Sequence, residues 1–305
     1  MLFRSTAVLL IVVFHATYFL GQYGDLVAPH WIAQVNTVLT PLRIPLLVLL
    51  SGMLLGASLR KGAGRYFSGK ARNVAWPYLV WAVIWGALSW PVYSLAGYAL
   101  GGSYLWFLLF LLSYYCLAWF LRAVPPEPVI AVALVASVLA PDGSMYPERW
   151  LYLFALFMAG HLLTVRPAVR RWLFTSGWAL VLAAVLLAVH LGFSLGYAYG
   201  LGSSLFMAAG AIVLIRLALR FGSTRVLRPL RFVGRHSLVF YAAHYPLLAG
   251  ITIGASAAGV STAAVLLPVL VVAAVVTCTA LALGRHRAPV SWLFTAPQLR
   301  RVMPG

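Results

Sequence analysis

Charged residues are scarce in this 305-residue chain. They make up 9% of the sequence, whereas a soluble globular domain carries about 25%. Hydrophobic residues account for 63% and the mean hydropathy is +0.96. The shortage of charge excludes a soluble globular domain, and apolar runs of ~20 residues, long enough to cross a bilayer, recur along the whole length. The composition therefore predicts a polytopic helical membrane protein.

Cysteines and soluble modules are also lacking. The two cysteines, Cys116 and Cys278, lie inside apolar runs and have neither paired nor metal-type spacing, so we expect buried thiols and no metal site. Without a soluble module to present a basic face, a nucleic-acid partner is not expected despite the net charge of +18. The first apolar segment lacks a small-residue cleavage site, so it is expected to stay as a membrane span.

Ten membrane spans can be placed on the apolar runs. Their approximate bounds are 3–21, 32–57, 74–94, 104–122, 127–141, 149–165, 173–193, 197–219, 232–253 and 258–283. The connections are short, and no change of composition marks a second domain. The sequence therefore predicts an all-α protein of about ten transmembrane helices, with one membrane-embedded domain over residues 1–305 that ends in a basic tail at 284–305.

Basic residues lie in alternate connections and therefore on one side of this arrangement. They occupy three connections and the tail: Arg60, Lys61, Arg65, Lys70 and Arg72; Arg166, Arg170 and Arg171; Arg220, Arg225, Arg228 and Arg231; and Arg285, Arg287, Arg300 and Arg301. The alternate connections hold a single basic residue, Arg149. Because such loading marks the cytoplasmic side, both termini are predicted to be cytoplasmic and the protein to lie in the plasma membrane. These side chains would also attract anionic membrane lipids, and the pattern leaves open whether some bind an anionic substrate.

Ionisable side chains recur near the predicted bilayer centre. Arg4 and His15 are eleven residues apart in the first span, which places them about 16 Å apart along one helix face. Arg43 lies about eleven residues into the second span. Such residues are costly in lipid and usually line a functional cavity. A histidine bonded to a neighbouring helix for packing would be the structural alternative for His15.

A further set of polar side chains occurs late in the chain, in the segment "FVGRHSLVFYAAHYPLL". Ser237, Tyr241 and His244 fall at positions i, i+4 and i+7, which predicts one stripe on a helix. Tyr241 alone would be an ordinary packing tyrosine. The three together favour a polar site.

Five segments, taken in order, form a family pattern. "RSTAVLLIVVFHA" has an arginine and a histidine separated by ten residues, and "RIPLLVLLSGMLL" has Pro45, Ser51 and Gly52 around an apolar run. "ARNVAWPYLVW", "YLWFLLFLL" and "VGRHSLVFYAAHYPLL" follow. In this order the chain resembles the acyltransferase-3 family, integral membrane enzymes that move acyl groups, often acetyl or succinyl, onto hydroxyls of sugars and other acceptors. Two positions depart from the family pattern: Ser5 replaces a glycine, and Asn73 stands where an arginine is often found.

The resemblance implies a cytoplasmic acyl-CoA donor, acetyl-CoA in the first instance, and a hydroxyl-bearing acceptor such as a glycan. CoA phosphates are anionic, so Arg4, Lys70 and Arg72 are the candidates for donor binding. A histidine can take the hydroxyl proton and an arginine can stabilise the developing negative charge, so His15 and Arg43 are the catalytic candidates. Ser237, Tyr241 and His244 are expected to line the acceptor side.

Two other classes of function remain open. Ten short-looped helices with buried charges would also suit a secondary transporter of a small or lipid-linked solute. Against that class, no repeat relates the first five spans to the last five, and the ionisable residues concentrate in spans one, two and nine. A non-catalytic lipid-binding scaffold would leave the matched depth of His15 and Arg43 unexplained.

Overall fold

The computed structural model describes residues 2–23, 26–89, 103–141, 146–193, 195–260 and 262–297. In these ranges the chain is all helix and connecting turn, without a strand, so the predicted all-α class is confirmed. In chain order the α-helices are α1 (Leu2–Tyr23), α2 (His30–Val38), α3 (Ile44–Gly52), α4 (Leu55–Leu59), α5 (Ala63–Lys70), α6 (Trp76–Leu88), α7 (Trp106–Phe120), α8 (Pro126–Leu139), α9 (Pro147–Val165), α10 (Pro167–Thr175), α11 (Trp178–Gly192), α12 (Ser204–Phe221), α13 (Arg228–Arg235), α14 (Ser237–Ala257) and α15 (Ala263–Gly284).

The described helices have the length and composition of membrane spans in five places. These segments are Leu2–Gln22, Thr40–Leu59, Leu201–Phe221, Ser237–Ala257 and Ala263–Gly284. Together α9 and α10 form a sixth candidate that bends by 98°. The shorter apolar helices α7, α8 and α11 coincide with predicted spans four, five and seven, and residues 90–94 of predicted span three lie outside the described residues. A membrane-embedded helical bundle is therefore supported, while ten crossings remain a prediction.

The second predicted span is a series of short helices rather than one. It comprises α2, a 3-10 turn at Thr40–Leu42, α3 and α4. Prolines supply no backbone N–H and stand at the start of helices, and here Pro41 and Pro45 lie within the first two positions of the 3-10 turn and of α3. Arg43 occupies the joint with non-helical backbone angles. The joint therefore holds a cationic side chain inside an apolar segment.

Span nine is also divided. The chain leaves helical geometry at His236, which ends α13 and precedes α14. Arginines of α13 give that short helix a polar character, whereas α14 is long and apolar. The division puts Ser237 at the first position of the membrane helix, and α14 packs along α1 through the centre of the bundle.

Two glycines allow α3 and α9 to pack with their backbones in close approach. A Cβ placed on Gly52 would lie 1.8 Å from the carbonyl oxygen of Phe157, and one placed on Gly160 would lie 2.0 Å from that of Leu49. Both distances are far below van der Waals contact, so an added methyl group would force the helices apart. Small residues serve helix packing in membranes in this way, and Gly52 of the second-helix motif therefore has a packing role.

We expect Gly160→Ala to destabilise the fold. Overpacking of a tight contact typically lowers the free energy of unfolding by about 1–3 kcal/mol. Here the obstructing atom belongs to the backbone, which cannot rotate away as a side chain can. The midpoint of thermal unfolding in detergent should fall by several degrees, since ~1 kcal/mol shifts it by about 2–4 °C in a chain of 150–250 residues. Gly250→Ala is the matched control, because a Cβ at Gly250 would meet nothing within 4 Å. Equal midpoints for the two variants would contradict this account of the crossing.

Candidate active site

Two cavities follow one another along α1. The first, here called the Arg4 cavity, is about 190 Å³ and is lined among others by Arg4, Ser51 and Ser237. The second, the His15 cavity, is about 260 Å³ and is lined among others by His15 and Arg43. In both α1 and the Thr40–Leu59 segment, the residues that line one cavity lie toward one end and those that line the other lie toward the opposite end. The two cavities therefore lie at different heights along these helices, the first nearer the end that holds Arg4.

Tyr241 stands between the cavities and lines both. Its hydroxyl donates to the carbonyl oxygen of Tyr104 over 2.7 Å, and the hydroxyl of Tyr104 donates to the carbonyl oxygen of Ala242 over 2.6 Å. These reciprocal bonds hold both phenols by backbone atoms, and Tyr241 also packs edge-on against Phe107. Both hydroxyls are satisfied in the protein interior, as buried polar groups require. The tyrosine pair thus fixes the partition between the two spaces.

His15 and His244 form a hydrogen-bonded pair. Nδ1 of His15 lies 2.9 Å from Nε2 of His244, although 229 residues separate them in the chain. His244 is fully buried, and its Nδ1 lies 2.9 Å from the carbonyl oxygen of Phe240, one turn earlier in α14. Tyr245 packs edge-on against the ring of His15. The imidazole at the cavity wall is therefore held from behind by α14.

The partners of the two rings determine their tautomers when both rings are neutral. A carbonyl oxygen can only accept, so His244 must donate from Nδ1 to Phe240, which leaves its Nε2 as an acceptor when the ring is neutral. His15 then donates from Nδ1, and its Nε2 carries the lone pair. A base that is oriented by a second group in this way is the arrangement found in catalytic triads. The geometry suits His15 for proton abstraction, with His244 as its positioning residue.

Arg43 reaches the His15 cavity from the break in the second span. The side chain is 4% exposed, and its guanidinium donates to the carbonyl oxygen of Asn36 over 2.7 Å and to Oγ1 of Thr40. It also lies over the ring of Phe14, 4.2 Å from the centroid. The bond to Asn36 satisfies one of the free carbonyls in the last turn of α2. A permanent positive charge is thus fixed beside the histidine that faces the cavity.

A second arginine faces the same space. Arg149, in the first turn of α9, lines the His15 cavity and lies over the rings of Tyr146 at 4.3 Å, Tyr199 at 5.3 Å and Trp106 at 5.6 Å. Motif reasoning did not assign this residue. Its signal in the sequence was that it is the single basic residue in the connections on the side opposite the basic loops.

The donor candidates are distributed unevenly around the Arg4 cavity. Arg4 and Ser237 line it, and so does Asn73, which stands where the family often has arginine. Lys70 does not line it but lies against a residue that does, with Nζ 3.4 Å from the ring centroid of Tyr115 and 3.2 Å from Oγ of Ser58. Burial, with a smaller contribution from the charge of Lys61, lowers the pKa of Lys70 to about 8.

Arg72 is the candidate that the structure places apart from the cavities. It lies in the π-helical turn Ala71–Ala75, and its carbonyl oxygen accepts from the backbone N–H of Ala296. The lining residues of the Arg4 cavity include its neighbours Asn73 and Val74 instead. Its chain position nevertheless keeps it at the end of the bundle where Arg4 lies.

A family model described as an acyltransferase domain, that of acyltransferase-3, matches residues 2–283, nearly the whole chain. The chain belongs to the acyltransferase-3 family. Searches among curated proteins and among solved structures gave no match. Membership supports an acyltransferase that is embedded in a membrane.

Three motifs of the acyltransferase-3 family now have structural positions. The arginine and histidine of the first helix line separate cavities, Arg4 near the start of the helix and His15 near its middle. Gly52 of the second motif lies at the crossing with α9. The late motif is divided, because Ser237 lines the Arg4 cavity, Tyr241 lines both, and His244 lies behind His15. The predicted stripe thus contributes to three different environments, and only Tyr241 of the three lines the His15 cavity.

The described part of the chain contains no evident set of metal ligands. No group of three His, Cys, Asp or Glu side chains is close enough there to hold a metal ion. The polar groups that converge on the His15 cavity are instead an imidazole, two guanidiniums and phenols. Such a set can take a proton and stabilise negative charge.

Proposed function

We propose that the protein is an O-acyltransferase that moves an acyl group, acetyl or a similar one, from a cytoplasmic acyl-CoA to a hydroxyl of a glycan or other acceptor. The observation that carries the proposal is the pair of cavities that meet at Tyr241, one lined by Arg4 and the other by the histidine pair. Family membership supports acyl transfer as the reaction class. The repeat that a ten-helix transporter would favour is absent from the sequence, and no contact described above supports transport.

The donor is assigned to the Arg4 cavity. Its arginine, with Lys70 and Arg72 at the same end, would attract the anionic phosphates of CoA, and the pantetheine arm would run along α1 toward Tyr241. Arg4 and His15 are eleven residues apart, a distance of about 16 Å along the helix. An extended pantetheine arm suits a path of this length better than a compact donor does. The acceptor is assigned to the His15 cavity.

The reaction can be written with the residues at hand. Nε2 of His15 takes the proton of the acceptor hydroxyl as its oxygen attacks the thioester carbonyl carbon, and Arg43 stabilises the negative charge that develops on the carbonyl oxygen. The carbon–sulfur bond then breaks, and the CoA sulfur leaves and receives the proton from His15. The products are the ester and free CoA thiol. His244 accepts from Nδ1 of His15 throughout and keeps its lone pair on Nε2.

In this proposal the protein lies in the plasma membrane, and the Arg4 end of the bundle faces the cytoplasm. The basic connections lie at this end, although Arg300 and Arg301 of the tail are outside the described residues. Anionic lipids of the inner leaflet would be the further partners of these charges. Both termini would then be cytoplasmic.

Cysteine labelling should report this orientation. In a background where alanine replaces Cys116 and Cys278, Ala63→Cys should resist an impermeant thiol reagent added to intact cells, because the exposed Ala63 begins α5 in the basic connection. Val27→Cys, at a residue 90% exposed between α1 and α2, should react readily as the external control. Ready reaction at position 63 and protection at position 27 would invert the topology and displace the donor site.

Donor affinity should depend on pH through Lys70. The side chain is cationic below its pKa of about 8 and neutral above it, so its attraction for CoA phosphates should fade as the pH rises from 7 to 9. Because a partly exposed ion pair contributes about 0.2–1 kcal/mol, the donor KM should rise by up to about fivefold. Lys70→Arg stays charged across this range and should abolish the rise, whereas Lys61→Arg should keep it. If the donor KM of Lys70→Arg still rises with pH, Lys70 does not contact the donor phosphates.

The function is tested by thiol release from acetyl-CoA. Purified protein should release CoA thiol when an extract of membrane glycans is added, and mass spectrometry of membrane glycans from cells with and without the gene should identify the acylated product. Solute counterflow in proteoliposomes, with no acceptor-dependent thiol release, would instead support the transporter.

A further inference from the structure

The His15 cavity contains more positive charge than one oxyanion requires. Arg43 and Arg149 both line it, from different elements. The Nε atom of each is buried and has no hydrogen-bond partner in the described part of the protein. Arg43 is almost completely buried, so water cannot easily solvate this free donor. Two buried guanidinium donors are thus available to a ligand in a single small cavity.

Nothing in the described ranges neutralises these charges. The ion pair found there joins Arg166 to Glu127, at the other end of the bundle. Glu148 precedes Arg149 in the chain but makes no ion pair with it in the structure. The rings around Arg149 attract a cation, but they carry no net charge. Arg149 is partly buried, whereas Arg43 is almost completely buried. A buried cation such as Arg43 is strongly unfavourable unless a partner compensates it, and no carboxylate of the described residues does so, which favours an anionic ligand in this cavity.

We propose that the acceptor is a small hydroxyl compound that also carries a carboxylate or phosphate, and that Arg149 binds this anionic group. The inference rests on the proposed function, because it deepens the description of the same cavity. Arg43 is already held by Asn36 and Thr40 and lies beside Phe14, the chain neighbour of His15, so it remains at the reacting centre. Among the described residues, Arg149 is held by aromatic faces alone, which leaves its planar donor groups available for two parallel bonds to an anion.

The anion belongs to the acceptor because of where Arg149 lies. Arg149 comes from the first turn of α9, and it shares the cavity with Thr40 at the start of the Thr40–Leu59 segment. Ser51 and Leu54, near the end of that segment, line the Arg4 cavity instead. A donor that arrives from the Arg4 end presents its acyl group past Tyr241, before it reaches Arg149. A cavity of about 260 Å³ is just below the ~300–1,000 Å³ typical of ligand sites, which favours a small acceptor or one terminal unit of a larger one.

Paired compounds, one with an anionic group and one without, provide the test. Methyl glucuronide is compared with methyl glucoside, and glycerol 3-phosphate with glycerol, both by the ligand-dependent shift in unfolding temperature and by acetyl-CoA thiol release. The anionic member of at least one pair should bind tenfold or more tightly than its neutral counterpart. Arg149→Gln should remove that preference. Arg122→Gln should keep it, because Arg122 also stacks on a ring, that of Trp119 at 4.5 Å, but lies outside both cavities.

The outcomes separate this inference from the proposed function. Equal binding by charged and neutral members, or binding by neither, would overturn the anionic acceptor, and continued thiol release with membrane glycans would leave the acyltransferase in place. Arg149-dependent anion binding without any thiol release would support the anion site while the proposed reaction failed. A preference for succinyl-CoA over acetyl-CoA that Arg149→Gln removes would place the anion on the acyl group and overturn its assignment to the acceptor. The carboxylate and phosphate pairs distinguish the two forms of the anion.

Discussion

Replacing His15 with glutamine should reduce acyl transfer by roughly 10²–10⁴-fold, the usual contribution of a general base. Glutamine is the informative substitution because its amide can still donate to Nε2 of His244 and fill part of the same space. It cannot take a proton near neutral pH. The loss should therefore appear in kcat for acetyl-CoA-dependent transfer, while the donor KM stays close to that of the unchanged protein.

The control for this experiment is the integrity of the variant. His15→Gln should insert in membranes, remain monodisperse in detergent and bind acetyl-CoA, because the Arg4 cavity contains none of the changed atoms. Near-normal transfer by the glutamine variant would make His15 a packing histidine. The base would then have to be sought elsewhere, and His244, the second imidazole of the pair, would be examined next.

His244→Phe should also reduce kcat strongly, by roughly 10²-fold or more. Phenylalanine keeps an aromatic ring in this buried position but offers no acceptor to Nδ1 of His15, which then loses the contact that fixes its orientation and tautomer. Loss of the orienting partner in a catalytic triad lowers kcat by up to about 10⁴-fold. The donor KM should change little, because His244 lines neither cavity.

A conservative variant distinguishes positioning from packing at this site. Glutamine places an amide oxygen near the position of Nε2, so His244→Gln can accept from His15 and should recover much of the activity that phenylalanine loses. A purely structural role predicts the reverse ranking, since phenylalanine matches the aromatic surroundings better. Similar kcat values for the two variants would remove His244 from the catalytic arrangement.

Sequence reasoning predicted the helical class and the depth of the ionisable groups, because both follow from composition and helix geometry. The position of Arg4 and His15 on α1 is an example: the regular rise of a helix fixes their separation without reference to the rest of the fold. The breaks at Arg43 and His236 were not predicted. A hydropathy average does not register a local change of backbone angles, although Pro41 and Pro45 were a signal for the first break.

Contacts between distant parts of the chain could be identified only from the structure. The stripe of Ser237, Tyr241 and His244 was drawn on one helix, and the three residues proved to face different environments once α1 and α7 were packed around it. The bond between His15 and His244 depends on how α1 and α14 meet, which no local pattern encodes. Arg149 was visible in the sequence only as a basic residue on the sparsely charged side, and its aromatic surroundings come from three separate segments.

The central claim is that donor and acceptor enter from opposite ends and meet beside Tyr241, with His15 as the base. A cryo-EM structure of the protein with a non-hydrolysable thioether analogue of acetyl-CoA tests it most directly. The account predicts the CoA phosphates near Arg4 and the acyl end beside Tyr241, leaving room for an acceptor hydroxyl about 3–3.5 Å from the acyl carbon and within hydrogen-bond reach of His15. An analogue bound with its acyl end away from Tyr241 and His15, or with its phosphates at the Arg149 end, would contradict the account.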